Sequence, residues 1–139
     1  VFHFMETFVN SRPNQWNYDA IWFHAYIGVR RANEALRILN KFTAAEFPLV
    51  ETRKAEVRWL RGYWYFMLKS LFKNVPYIDE NVPAEEYKNI PNNNLSNDEF
   101  WEKIAEDFEF AAANLPDQPA QIGRVNQMAA YGYLAKTRL

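Results

Sequence analysis

Few side chains in this sequence are spaced for chemistry. There are two histidines, His3 and His24, and they share no helix face, so no helical two-histidine metal site is expected. Glu102, Glu106 and Glu109 recur at intervals of four and three residues, which puts them on one side of a helix. Such a row could hold a cation or supply paired acids. A solvated polar face opposite Trp101, Ile104 and Phe108 explains it better, so it nominates neither a metal nor a catalytic residue. Glu85 and Glu86 fall in a proline-rich segment and are expected to face solvent. Arg58 and Arg61 lie one turn apart beside Trp59 and Trp64. Arg61 is expected to bridge to a carboxylate or carbonyl of a neighbouring helix, a structural role. The remaining signal is aromatic. Of 24 aromatic residues, 16 lie in residues 1–73. Trp and Tyr faces can stack on flat apolar ring surfaces while their polar tips hydrogen-bond. Trp22 and Trp64 sit on apolar stripes and belong to the core. Trp16 and Tyr77 fall in expected loops and are the candidate ligand contacts.

Helices must position these residues. Tyr18, Trp22, Ala25, Val29, Ala32, Leu36 and Leu39 alternate at spacings of four and three, predicting a helix over about 18–41. Asn17 is a plausible N-cap, and Asp19 sits in the first turn, where the helix dipole favours it. Gly28 inside this helix costs about 1 kcal/mol against Ala and needs a close helix–helix approach to justify it. After Pro48, Val57, Leu60, Trp64, Met67 and Leu71 predict a second helix over about 49–72, antiparallel to the first. Pro76, Pro83, Pro91 and the run Asn92-Asn93-Asn94 make 73–95 a long loop, a length that is often functional. Ser96 and Glu99 form a capping box that opens a helix over about 97–115, with Trp101, Ile104, Phe108, Ala111 and Leu115 as its apolar face. Pro116 stops it. A fourth helix over about 127–139 follows Asn126, with Ala129, Gly132 and Ala135 on its contact face beside Met128 and Leu139. Residues 1–17 read as an irregular aromatic segment with a short helix over Val1–Val9.

No strand pattern of useful length appears. The expected fold is therefore all-α, with two stacked antiparallel helical hairpins joined by a long Pro/Asn-rich loop. The hairpins look tetratricopeptide-like, but the first and third helices start about 79 residues apart, so the 34-residue period is missing.

Composition narrows the function classes. The 139 residues suit one domain, expected to be a piece of a larger one because the last helix carries no stop signal. A hydrophobic fraction of 49% is too high for disorder. A net charge of −1 leaves no global basic field for nucleic acid. No apolar run reaches the roughly 18 residues of a membrane span. The first residue is Val1, and any signal peptide is expected to lie outside the sequence. There is no cysteine, hence no disulfide or thiol nucleophile. G-x-x-x-x-G-K-S/T, G-x-G-x-x-G and G-x-S-x-G are absent, and four glycines leave little room for a phosphate loop. No catalytic residue and no cofactor is assigned. Charge is polarised: residues 1–73 carry 11 basic and 6 acidic side chains, and residues 74–139 carry 5 and 11. The expectation is that helix faces of opposite sign attract each other across the stack.

Four segments together resemble the SusD/RagB family. Val29, Ala32, Asn33, Leu36 and Leu39 fill its I-x-x-A-N-x-x-I-x-x-L run. Glu56, Leu60, Arg61, Tyr65, Phe66, Leu68, Phe72, Val75 and Pro76 match A-E-x-x-F-L-R-A-x-x-Y-F-x-L-x-x-x-F-G-x-V-P-L-I. Ile104, Asp107, Phe108, Ala111, Leu115 and Pro116 match I-x-x-D-L-x-x-A-x-x-x-L-P. Gly123, Arg124, Ala129, Ala130, Leu134, Ala135, Lys136 and Leu139 match G-R-x-x-x-x-A-A-x-x-x-L-A-K-x-x-L. Two positions depart from the pattern. Gly62 stands where the family has Ala, which locally weakens the helix. Lys73 stands where it has the glycine that ends the helix. Either Asn74 takes the left-handed role or the exit geometry differs.

The resemblance implies a surface-exposed lipoprotein of the outer membrane, held there by an N-terminal lipid anchor outside this chain. It would be non-catalytic, capture oligosaccharides or less often peptides, and deliver them to a SusC-like TonB-dependent transporter. The family's helices are scaffold and transporter-facing surface, so Asn33, Glu56, Leu60, Arg61, Pro76, Asp107, Gly123 and Arg124 are expected to be structural, and no family glycan-binding residue is carried over. The competing reading is a free-standing helical-repeat adaptor that binds a protein or peptide.

Overall fold

The computed structural model describes residues 16–139. Val1–Val9 and His3 lie outside the described residues. Among the described residues there are four α-helices: α1 Trp16–Leu39, α2 Val50–Phe72, α3 Asn97–Asn114 and α4 Gln127–Arg138. A six-residue 3-10 helix, Ala84–Asn89, interrupts the long loop. There is no strand among the described residues. Consecutive helices pack against each other, and α2 is central, touching α1, α3 and α4. The chain is all-α, as the apolar periodicity requires.

The helix ends follow local chemistry. The Ser96 hydroxyl accepts from the Glu99 N–H at 3.3 Å, and the Ser96 N–H donates to the Glu99 carboxylate at 2.8 Å, closing the expected capping box. Asn126 caps α4 by accepting the Ala129 N–H at 2.9 Å. α1 already contains Trp16 and Asn17. Asn17 is buried in its first turn and does not cap it, and Trp16 is helical, not in a loop.

The stripe expected for α1 is the buried one, with Ala25, Val29, Ala32 and Leu36 in the core. The stripe expected for α2 is not. Leu60 and Leu71 are 46% and 44% exposed, while Arg61, Gly62, Tyr65, Leu68 and Lys69 are buried. The inward face is turned by about a residue, because the buried arginine and glycine read as surface by hydropathy. The same correction applies to α4. Met128, Gly132 and Ala135 are exposed, and Ala130, Tyr133 and Leu134 face the core. Tyr133 is the hub there, its ring 5.3 to 5.7 Å from Trp59, Tyr63, Phe66 and Phe108.

Two glycines set helix spacing. A Cβ on Gly28 would lie 2.3 Å from the Trp64 indole nitrogen, so glycine is what lets α2 lie this close to α1. A Cβ on Gly62 would lie 3.1 Å from Phe108, so α3 comes closer than the family's alanine would comfortably allow.

α2 ends in a strained turn. Lys73 takes φ 60° and ψ −63°, and the Asn74 N–H donates to the Phe72 carbonyl at 2.6 Å. That is the rarer γ-turn, which a side chain disfavours. Lys73, not Asn74, therefore occupies the position of the family glycine. The Lys69 ammonium donates to the Lys73 carbonyl at 2.6 Å and holds the turn.

These contacts set two outcomes, both readable by urea unfolding followed through tryptophan fluorescence. Gly28→Ala should destabilise by about 1–3 kcal/mol despite alanine's better helix propensity, because the indole must move. Lys73→Gly should stabilise by about 1 kcal/mol by relieving the positive φ.

Candidate functional site

The sequence marked a loop at 73–95. In the structure its first part is an extended strap drawn across α1 and α2. Side chains pin it. The Tyr26 hydroxyl donates to the Pro76 carbonyl at 2.7 Å. The Asn33 amide donates to the Ile78 carbonyl at 2.9 Å. The Tyr65 hydroxyl donates to that carbonyl at 2.6 Å and accepts the Ile78 N–H at 2.7 Å. Arg37 donates to the Glu80 carbonyl at 2.6 Å, to the Val82 carbonyl, and to the Tyr87 hydroxyl at 3.0 Å. The Asn94 side chain closes the far end, bonding both the N–H and the carbonyl of Tyr77 at 2.9 and 2.8 Å. Burial pushes the Tyr26 and Tyr65 phenols well above their ordinary pKa, so both remain hydroxyl donors.

Beneath the strap lies a buried charge centre. Arg61 is 4% exposed and Asp107 is 1% exposed. The Arg61 Nε and Nη2 donate to the two Asp107 oxygens, each at 2.7 Å, in a two-pronged pair. Arg58 Nε adds a third bond to Asp107 at 2.7 Å. The remaining Arg61 amino group donates to the Asn33 side-chain Oδ1 at 3.2 Å and to the Glu80 carboxylate. Burial opposes the charge on Arg61, but Asp107 and Glu80 more than offset it and hold its pKa above the usual guanidinium value. Burial also opposes the charge on Glu80, and Arg61 outweighs it, so Glu80 titrates below the ordinary glutamate range. The expected bridge from Arg61 to a neighbouring-helix carboxylate is thus present. It joins α2 to α3, and through Asn33 and Glu80 to α1 and the strap.

The other motif residues lie apart from this centre. Glu56 accepts from Arg124 at 2.9 and 3.0 Å, tying α2 to the segment before α4. Gly123 takes φ 92°, the left-handed conformation that turns the chain toward that pair. Pro76 lies on the strap. Leu60 is partly exposed on the outer side of α2. The acidic row of α3 is engaged in ion pairs. Glu102 and Glu109 accept from Arg138, the latter at 2.8 Å, and Glu106 pairs with Lys103 at 2.9 Å. Glu85 and Glu86 are exposed on the 3-10 helix, and His24 is exposed on α1. No group of three His, Cys, Asp or Glu residues among the described residues could hold a metal ion.

The two candidate ligand contacts part company. Tyr77 is 8% exposed. Its ring is stacked on Tyr65 at 4.9 Å and meets Phe100 edge-on at 5.4 Å. It is a core residue with no face left for a ligand, because the loop that carries it is pressed onto the helices. Trp16 is 65% exposed at the start of α1. Phe23, seven residues on, shares its helix face about 10 Å along the axis and is 62% exposed.

Phe23 belongs to a groove of about 640 Å³ between α1 and the strap. Trp22, Phe23, Tyr26 and Tyr87 are its aromatic walls, Pro76 and Ile78 its floor, and Arg30 and Lys88 its charged edge. Trp22 is braced by Phe72 edge-on at 5.0 Å. Sequence reasoning missed this groove. Trp22 read as core, and nothing in the spacing shows that Tyr87 folds back to meet α1. The arrangement offers ring faces and a few polar edges, with no histidine or carboxylate among its lining residues.

Comparison with known proteins decides the family. A family profile described as "Starch-binding associating with outer membrane" matches residues 3–139. The chain belongs to the SusD-like family. It is 30% identical over 122 residues to SusD-like protein P2 of Formosa agariphila, a match covering 87% of this chain and 24% of that protein. Its fold matches a SusD-like protein from Bacteroides fragilis with a TM-score of 0.75 and 26% identity, over 86% of this chain and 23% of that one. It also matches a laminarin-binding SusD-like protein with a TM-score of 0.72 and 28% identity, over 85% and 25%. The chain therefore spans about a quarter of the length of these SusD-like relatives. No helix among the described residues is long and apolar enough to cross a membrane.

The charge centre makes two predictions. Asp107→Ala strands Arg61 in the interior and should cost about 3–5 kcal/mol in urea unfolding. Glu80 has a depressed folded pKa, so its contribution is full above the unfolded value near 4.5 and disappears as pH falls through the lower folded value. Glu80→Gln should flatten the stability profile in that acidic window, measured by thermal melts across pH.

Proposed function

We propose that this chain is the helical scaffold of a non-catalytic nutrient-binding protein at the outer-membrane surface. The protein captures an oligosaccharide, with peptide as the second ligand class, and delivers it to a SusC-like TonB-dependent transporter. A lipid anchor outside these residues holds it to the membrane. The observation that carries the reading is the match, over 85% of this chain, to a SusD-like protein described as laminarin-binding. The site chemistry supports it. Sugars present apolar C–H faces and hydroxyl rims, and the groove presents aromatic faces beside Tyr87, Arg30 and Lys88. Trp16 extends that surface along α1. The acids of α3 are held in ion pairs, which supports binding over catalysis.

The alternative is a free-standing helical-repeat adaptor for a protein or peptide. Intact-mass analysis of an outer-membrane fraction separates the two. A lipid-modified polypeptide several times 16.5 kDa supports nutrient capture, and a soluble species at 16.5 kDa supports the adaptor. In the full-length protein, Trp16→Ala should weaken binding of laminarin oligosaccharides by about 1 kcal/mol, roughly fivefold, in calorimetric titration. Unchanged affinity would remove Trp16 from the ligand surface.

A further inference from the structure

The groove between α1 and the strap is one-sided in its hydrogen-bond chemistry. No Asp, Glu, Asn or Gln is among its lining residues, so no carboxylate or amide oxygen is offered to a ligand there. The carbonyls of its floor are already engaged. Pro76 accepts the Tyr26 hydroxyl at 2.7 Å, and Ile78 accepts Asn33 and Tyr65 at 2.9 and 2.6 Å. What remains is protons to give. The Tyr87 oxygen accepts from Arg37 at 3.0 Å. A guanidinium has no lone pair to accept in return, so the Tyr87 O–H is left to donate elsewhere. Arg30 and Lys88 line the same groove, and both are exposed. Arg30 meets Glu34 through Nε alone, at 3.3 Å, with side chains 60% and 50% exposed. A pair this open is screened by water and holds little, and the two terminal amino groups of Arg30 stay available. Lys88 has no carboxylate partner among the described residues. Glu85 and Glu86 share its 3-10 helix, but neither lines the groove.

A neutral sugar presents hydroxyls, and each has a proton that needs an acceptor as well as an oxygen that needs a donor. Pressed against a wall of donors, those protons lose their water without replacement, which is costly. A carboxylate or a sulfate ester presents acceptor oxygens only. Its bonds to a guanidinium or an ammonium are charge-assisted and therefore strong. We propose that this groove selects an acidic sugar over a neutral one. The favoured residue is carboxylated or sulfated, its ring lies on Phe23 and Trp22, and its anion meets Arg30, Lys88 and Tyr87. The inference rests on the glycan reading given above and narrows it to a charge class. Arg37 contributes without touching the ligand. It grips the strap carbonyls and the Tyr87 oxygen together, so the phenol is oriented before a sugar arrives.

Affinity electrophoresis of the full-length protein tests it, in native gels cast with polygalacturonate, alginate, carrageenan, laminarin or starch. The expected result is stronger retardation by at least one of the three acidic polysaccharides than by laminarin or starch. Polygalacturonate or alginate would assign a carboxylate, and carrageenan a sulfate. Arg30→Gln combined with Lys88→Gln should weaken that acidic interaction by about tenfold and leave mobility in laminarin unchanged. Both side chains are exposed, so the fold is retained. Lys41→Gln removes an exposed charge that does not line the groove and should change nothing. Laminarin or starch retarding as strongly as every acidic polysaccharide overturns the charge preference and leaves glycan capture standing. An equal loss in Lys41→Gln and in the double variant also overturns it, because the attraction is then to basic surface in general. Retardation by none of the five overturns both this inference and the glycan reading beneath it.

Discussion

An arginine with 4% of its surface exposed cannot stay charged in a protein interior unless its surroundings answer every part of it. Arg61 meets that condition by recruiting three separate pieces of chain. Asp107 comes from α3, Asn33 from α1 and Glu80 from the strap. Each must arrive within hydrogen-bond distance for the burial to be tolerable. The charge therefore fixes where those elements lie relative to α2, more narrowly than apolar packing alone, which accepts many sliding registers. Asn33 extends the constraint. Its oxygen answers Arg61 and its amide nitrogen holds Ile78, so the strap and the charge centre are set together. The aromatic groove inherits its floor from this arrangement.

Much of the fold was legible in the sequence. The stripe of α1, the capping box of α3 and the start of α4 after Asn126 depend on neighbours a few residues away, and local pattern carries such information. α2 was misread in rotation because its most buried face holds Arg61, Gly62 and Lys69, which a hydropathy pattern assigns to solvent. α4 was misread because small residues look like a contact face, whereas its inner contact is made by Ala130 and Tyr133. The site was less legible. Trp16 does present its ring to solvent, while Tyr77 turned out to be core. That fate is set by Asn94, 17 residues on, and by the stack on Tyr65. Contacts of that range leave no periodic trace.

The polarised charge also has a concrete meaning. The basic first half meets the acidic second half where Arg58 and Arg61 grip Asp107 and Glu80. The Glu56–Arg124 pair runs in the opposite sense and ties the far end of α2 to the approach of α4. The imbalance along the sequence is thus partly spent inside the fold, where pairing matters most, and less of it remains as an outward field.

The strap is held by side chains at both of its ends. Tyr65 clasps the backbone of Ile78 from both sides, and Asn94 does the same for Tyr77. Between these two clasps, residues 79–93 form a closed excursion. Lengthening such an excursion costs little, about 0.6 kcal/mol for each doubling of its residues. Beyond Glu80, which Arg61 holds, evolution could therefore rewrite its length and lettering while both clasps stay shut. A lineage could change what its groove recognises without reopening the question of how its helices fold.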